Sequence, residues 1–159
     1  NYALALQAYA LLMIVSNIFY KFILPYDASN QNVRNFKVMI ILISIGISVL
    51  GIIIGPSILE YIFPKFATVD TAIQILSLGV IPGTISLLFT SKFLSNENSK
   101  IILIGRILPT ISLIILLLIL APMYGLAGAA SAFVILSVIS TGFFFLAYKY
   151  EKRENNTSA

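Results

Sequence analysis

The sequence predicts an all-α membrane protein: a polytopic bundle of about five transmembrane helices. Three observations carry that prediction. Hydrophobic residues make up 59% of the 159, and only 10% are charged, against about 25% charged in ordinary soluble domains. The apolar residues fall into long runs of about 20, the length that crosses a bilayer core. The charged residues collect between those runs. Helices this apolar on every face have no favourable arrangement in water.

The first span runs over residues 2–24 and ends at Pro25, followed by a polar loop through Asn35. The second covers 36–63 and is interrupted by Gly55 and Pro56, with Glu60 beyond the interruption. Residues 64–70 connect it to a third span, 71–94, which carries Pro82 and Gly83 near its middle. Proline removes a backbone donor and crowds the preceding turn, so a kink is expected there, either as packing or as a hinge. A loop over 95–100 precedes the fourth span, 101–121, where Pro109 is a further kink candidate. Residues 122–125 form a tight turn, the fifth span covers 126–148, and 149–159 form the tail. Strands do not fit, because membrane strands alternate in polarity over about 10 residues whereas these runs are continuous Ile and Leu.

Charge orients the bundle. Lys21, Arg34 and Lys37 surround the first loop, Lys92, Lys100 and Arg106 the third, and Lys149, Lys152 and Arg153 lie in the tail. Lys65 stands alone on the opposite side. The side rich in Lys and Arg is expected to be cytoplasmic, which puts the C-terminus in the cytoplasm and the protein in the cell membrane. Five spans then place Asn1 outside, as expected of a chain that is part of a longer protein. Residues 155–158 contain two overlapping glycosylation sequons, which on the cytoplasmic side would be fortuitous.

The composition excludes several functions. The chain has no histidine and no cysteine, so histidine acid–base catalysis and thiolate or zinc chemistry are not expected. The net charge of +4 marks loops rather than a nucleic-acid-binding stripe. No catalytic residue, metal or cofactor is expected. The six carboxylates, Asp27, Glu60, Asp70, Glu97, Glu151 and Glu154, are dispersed, which disfavours a membrane-embedded transferase. Glu60 either reaches water at the interface or faces a central cavity. Arg106 either snorkels to the interface or points into the bundle, and Lys21 and Lys92 lie at comparable depths. Together the three could ring a mouth that attracts anionic headgroups. The small residues from Gly125 through Gly128 to Ala132 suit close helix packing. Tyr26, Tyr61, Tyr124, Tyr148 and Tyr150 fall near span ends, as an aromatic belt would.

The stretch Leu120-Ala-Pro-Met-Tyr-Gly-Leu-Ala-Gly-Ala-Ala-Ser-Ala132 resembles the P-x-Y-G-x-x-G-A-A-x-A turn joining the last two helices of polysaccharide, or lipid-linked oligosaccharide, flippases. These belong to the multidrug/oligosaccharidyl-lipid/polysaccharide exporter superfamily. The end of the first span at Pro25 and the break at Gly55 and Pro56 are similar to features of the same family. The resemblance implies that this chain corresponds to helices eight to twelve of a two-lobe, twelve-helix transporter, whose remaining N-terminal helices would be its partner. It departs from the family in the fourth span, which has Pro109, Thr110 and Ser112 where asparagines are common. The implied mechanism is alternating access, with basic residues holding the phosphate of a lipid-linked glycan. Arg106, then Lys92 and Lys21, are the residues onto which the resemblance places that role. A multidrug exporter of the same superfamily and a noncatalytic membrane subunit are the rival expectations.

Overall fold

The computed structural model describes residues 34–57 and 70–157, with side chains through Glu151, together with residues 7, 10, 13, 14, 17, 18 and 20–25. These residues are helical almost throughout, with no strand among them. Four helices follow the N-terminal helical residues: α1 (Arg34–Ile53), α2 (Asp70–Leu78), α3 (Val80–Ser95) and α4 (Ser99–Thr157). Three stretches, Arg34–Ile53, Asp70–Ser95 and Ser99–Glu151, are long and apolar enough to cross a membrane. Glu60, Tyr61, Lys65, Tyr26 and Asp27 lie outside the described residues.

Serine, threonine, alanine and glycine share the interior with a few large apolar side chains, while many other large aliphatic side chains are exposed. On α1 the buried stripe is Ile40, Ser44, Ser48 and Gly51, spaced at the three- and four-residue intervals that keep one helix face together. Val38, Leu42, Val49, Leu50 and Ile53 are exposed on the same helix. A monomer in water rarely exposes an apolar surface of that extent. Close helix approach through small side chains is what packing within lipid requires, because burial of aliphatic surface supplies little drive there.

The pair α2–α3 occupies the centre, packing on α1 and on α4, and among the described residues the α1 and α4 backbones do not approach each other closely. Ala72, Ile73, Leu76 and Ala130 form one buried cluster, joining α2 to α4. Ile23, Ile40 and Leu88 form another, joining the N-terminal helical residues, α1 and α3. Phe22 meets Phe36 at 5.7 Å between ring centroids, so the end of the first span and the start of α1 lie side by side.

Between α2 and α3 the hydrogen-bond ladder is interrupted at Gly79, three residues before Pro82, while the Gly79 dihedrals stay helical at φ −70° and ψ −15°. The Gly79 N–H turns to the Leu76 carbonyl at 2.9 Å, and the Gly83 N–H bonds the Gly79 carbonyl at 3.0 Å. A proline ring collides with the carbonyl four residues earlier, which for Pro82 is that of Leu78, so the distortion appears one turn upstream. Pro82 and Gly83 themselves, where the sequence places a kink, sit in the regular first turn of α3. Near the other interruption, the turn lies at Ile54, and residues 55–57 are helical again. A Cβ at Gly55 would stand 2.9 Å from Ile73 Cγ2, so its small size sets the approach to α2. Backbone dihedrals remain helical through Pro109, and no break forms there.

Straight, the 59 residues of α4 would extend ~88 Å at 1.5 Å per residue. They instead form two antiparallel arms. Gly125 has φ 58° and ψ −130°, a combination of dihedrals that side-chain-bearing residues avoid. Gly105 on the first arm lies against Phe144 on the second, and these two residues are nearly equidistant along the chain from Gly125. At the open end, Asn98 Nδ2 donates to Glu151 Oε1 at 2.8 Å. A Cβ at Gly125 would meet nothing within 4 Å, so only backbone strain opposes a substitution. Gly125→Ala is therefore expected to lower stability by about 1–3 kcal/mol. Gly125→Asn should give no relief, because asparagine tolerates the left-handed helical region but not ψ near −130°. Unfolding of both variants in detergent measures this, and a wild-type midpoint for Gly125→Ala would refute the turn geometry.

Candidate functional site: the basic end of the bundle

Every basic side chain described lies toward one end of the bundle. The contact between Phe22 and Phe36, the loop between α3 and α4, and the bond from Asn98 to Glu151 bring the relevant chain segments there. Lys21, Arg34, Lys100, Arg106 and Lys149 are exposed, and Lys37 and Lys92 are half-buried. The acidic side chains described at this end are Glu97 and Glu151, the second accepting from Asn98. The described charge here is therefore strongly positive, and its range is set by screening over about 8–10 Å at physiological salt.

The three residues singled out for anion binding occupy different settings. Lys92, in the last turn of α3, places Nζ 4.2 Å from the centroid of the Tyr148 ring. Tyr148 also packs on Phe89 at 5.8 Å, so the ammonium rests on an aromatic face, a favourable position for a cation. Arg106 follows the buried Gly105 in α4 but is itself exposed. A helix turns 100° per residue, so the tight seat of Gly105 against Phe144 swings Arg106 onto the flank of the arm rather than into the interior. Lys21 is exposed on the N-terminal helical segment. Among the described residues, no hydrogen bond or ion pair engages the Lys21 or Arg106 side chain, and none links either of them to Lys92.

The apolar interior also holds buried serine and threonine hydroxyls, several of which bond to backbone carbonyls. Ser77 Oγ donates to the Ile73 carbonyl, Thr84 Oγ1 to that of Val80 and Thr90 Oγ1 to that of Ser86, each at 2.8 Å. Such bonds to a helix's own carbonyls quiet a buried hydroxyl without a partner from outside. Among the described residues, hydroxyl bonds also cross between helices. Ser48 Oγ donates to the Ser77 carbonyl at 2.7 Å, Ser86 and Ser140 pair at 2.9 Å, and Thr141 Oγ1 reaches the Pro82 carbonyl at 2.6 Å. The first and third bracket the interruption at Gly79, holding carbonyls on both sides of it.

Sequence reasoning missed several of these features. Asp70, in the first turn of α2, has a buried Oδ1 without a hydrogen-bond partner; its carboxylate lies where a helix dipole favours negative charge. The pairing of Gly105 with Phe144 had a signal, since fixing the reversal at Gly125 fixes which residues face each other. Among the described residues, no three His, Cys, Asp or Glu side chains come together as a metal-binding group.

The fold thus defines an all-helical protein with helices long and apolar enough to cross a membrane. No known family model, curated protein or solved structure matches the chain.

Proposed function

We propose that this chain is a membrane-embedded part of a transporter that flips lipid-linked oligosaccharide or polysaccharide precursors by alternating access, with its C-terminus in the cytoplasm. The observation that carries the proposal is the turn at Gly125. The segment on which the family resemblance rests forms a sharp reversal, with Gly128 against the backbone of the opposite arm, so both glycines of the motif have a physical task. The outward aliphatic surface of α1 and α4 supports embedding in lipid.

In this proposal the basic end gathers the anionic carrier headgroup from the cytoplasmic leaflet, while the lipid tail stays beside the bundle. Arg106 offers a planar fork to phosphate oxygens, and Lys92, steadied on Tyr148, supplies a second charge. Lys21 contributes from the N-terminal segment. The remaining helices of a twelve-helix protein would complete the cavity, and no covalent bond is made or broken. The exposed face of the first α4 arm, including Leu103, Ile107, Ile114 and Leu118, favours a second reading, a noncatalytic membrane subunit that packs against a partner.

Translocation of a fluorescent polyprenyl-linked sugar in liposomes, by the full-length protein that carries this chain, tests the proposal. Arg106→Ala is expected to weaken the apparent affinity by roughly tenfold or more, as loss of a charge-assisted hydrogen bond does. Unchanged rate and affinity would overturn the role of Arg106, and absence of any translocation would favour the subunit reading.

A further inference from the structure

We propose that the open end of the α4 hairpin is a binding surface for anionic phospholipid headgroups, centred on Lys100 and Lys149. The inference rests on the membrane embedding proposed above but not on transport. Asn98 and Glu151 are bonded across the two arms, which brings Lys100 and Lys149, their near neighbours in sequence, to the same level. Both are exposed, and among the described residues neither has an ion pair or hydrogen bond. Lys92 joins them from α3 through its seat on Tyr148, the residue before Lys149.

Depth makes the surface suit lipid. Arg106 lies six residues beyond Lys100 along the arm, ~9 Å at 1.5 Å per residue. Between and beyond them the outward side chains are Leu103, Ile104, Ile107 and Leu108, all about half exposed or more. Cations therefore stand directly above an aliphatic belt, the arrangement in which phospholipid phosphates meet acyl chains. The described carboxylates at this end, Glu97 and Glu151, are outnumbered by the lysines and arginines, and the Asn98 amide holds Glu151 in place across the arms without removing its charge. A surface of this kind attracts an anionic leaflet with an energy that corresponds to roughly fivefold in affinity per cation.

The test uses the chain in mixed micelles, titrated with fluorescent phosphatidylglycerol and with fluorescent phosphatidylcholine. Phosphatidylglycerol is expected to bind at least tenfold more tightly at low ionic strength, with the preference collapsing in about 1 M salt, where the screening length falls to about 3 Å. Lys100→Gln/Lys149→Gln should lose most of the preference while keeping its helical circular dichroism. Each single variant should lose a part, which keeps the test decisive if the double variant does not fold. Equal binding of the two lipids, an unaltered preference in the variants, or displacement of phosphatidylglycerol by millimolar inorganic phosphate would overturn the proposal. In vesicles, a chain that resists alkaline-carbonate extraction but shows no lipid preference defeats this inference alone. A chain released by carbonate defeats the embedding on which it rests.

Discussion

Gly128→Val is expected to destroy the native packing of the α4 hairpin, with a loss of about 3 kcal/mol or more. A Cβ at Gly128 would fall on the carbonyl oxygen of Leu120, with the Leu120 carbonyl carbon at 2.7 Å and Tyr124 Cβ at 3.0 Å. The opposing atoms are chiefly backbone, so no rotamer change relieves the contact. The arms would have to separate near the apex, and the displacement would propagate to every pair stacked along the hairpin. Overpacking in a compliant core typically costs about 1–3 kcal/mol; a backbone obstacle belongs at or above the top of that range. Even Gly128→Ala should be clearly destabilising. Gly46→Ala and Gly142→Ala are the controls, because nothing lies within 4 Å of a Cβ at either position. Each should be neutral or stabilising by up to about 1 kcal/mol, as alanine replaces glycine within a helix. Reversible unfolding in detergent measures all four. A Gly128→Val variant as stable as the controls would show that the arms do not meet in this way.

The contrast between Gly128 and Gly46 also shows what the sequence could and could not disclose. Helix existence was legible because composition alone leaves the long Ile and Leu runs no other stable form in lipid. The reversal was legible because Pro122 and Gly125 interrupt the apolar pattern within one turn. Helix rotation was not. In a soluble helix, polarity marks the buried face, but here both faces are apolar, and the residue facing inward can be Ser44 or Ser48 while Gly46 faces out. The orientation of Arg106 was hidden for the same reason: its depth is set by its distance from the helix end, its direction by packing at Gly105 and Pro109. The irregularity at Gly79 has a local signal, since proline acts on the carbonyl four residues upstream. The hydroxyl bonds from Ser48 and Thr141 depend on which helices are neighbours, and no local pattern contains that.

Gly105→Ala is expected to destabilise the chain by about 1–3 kcal/mol, and shortening Phe144 should relieve much of that loss. The added Cβ would stand 2.6 Å from Phe144 Cζ, 2.7 Å from Phe144 Cε1 and 3.0 Å from Phe143 Cδ1. Phe144 has no exposed surface, and its other side is stacked on Phe93 at 5.8 Å between centroids. The ring is thus held between α3 and the first arm of α4, and it cannot retreat without opening the α3 contact. Phe144→Leu alone should also destabilise, because it leaves a void beside Gly105. Gly105→Ala/Phe144→Leu places a methyl group where part of the ring was, so its loss should fall short of the sum of the two single losses by 1 kcal/mol or more, within the range measured for directly contacting pairs. Additive losses would mean that the two residues do not touch, and the antiparallel register of the hairpin would fall with them. The same variants report on the basic end. If Gly105 sets how closely the arms approach, Gly105→Ala should rotate or lift the arm that carries Arg106 and Lys100. Phosphatidylglycerol preference should then change in Gly105→Ala and return when Phe144→Leu is added, although neither substitution alters a charge.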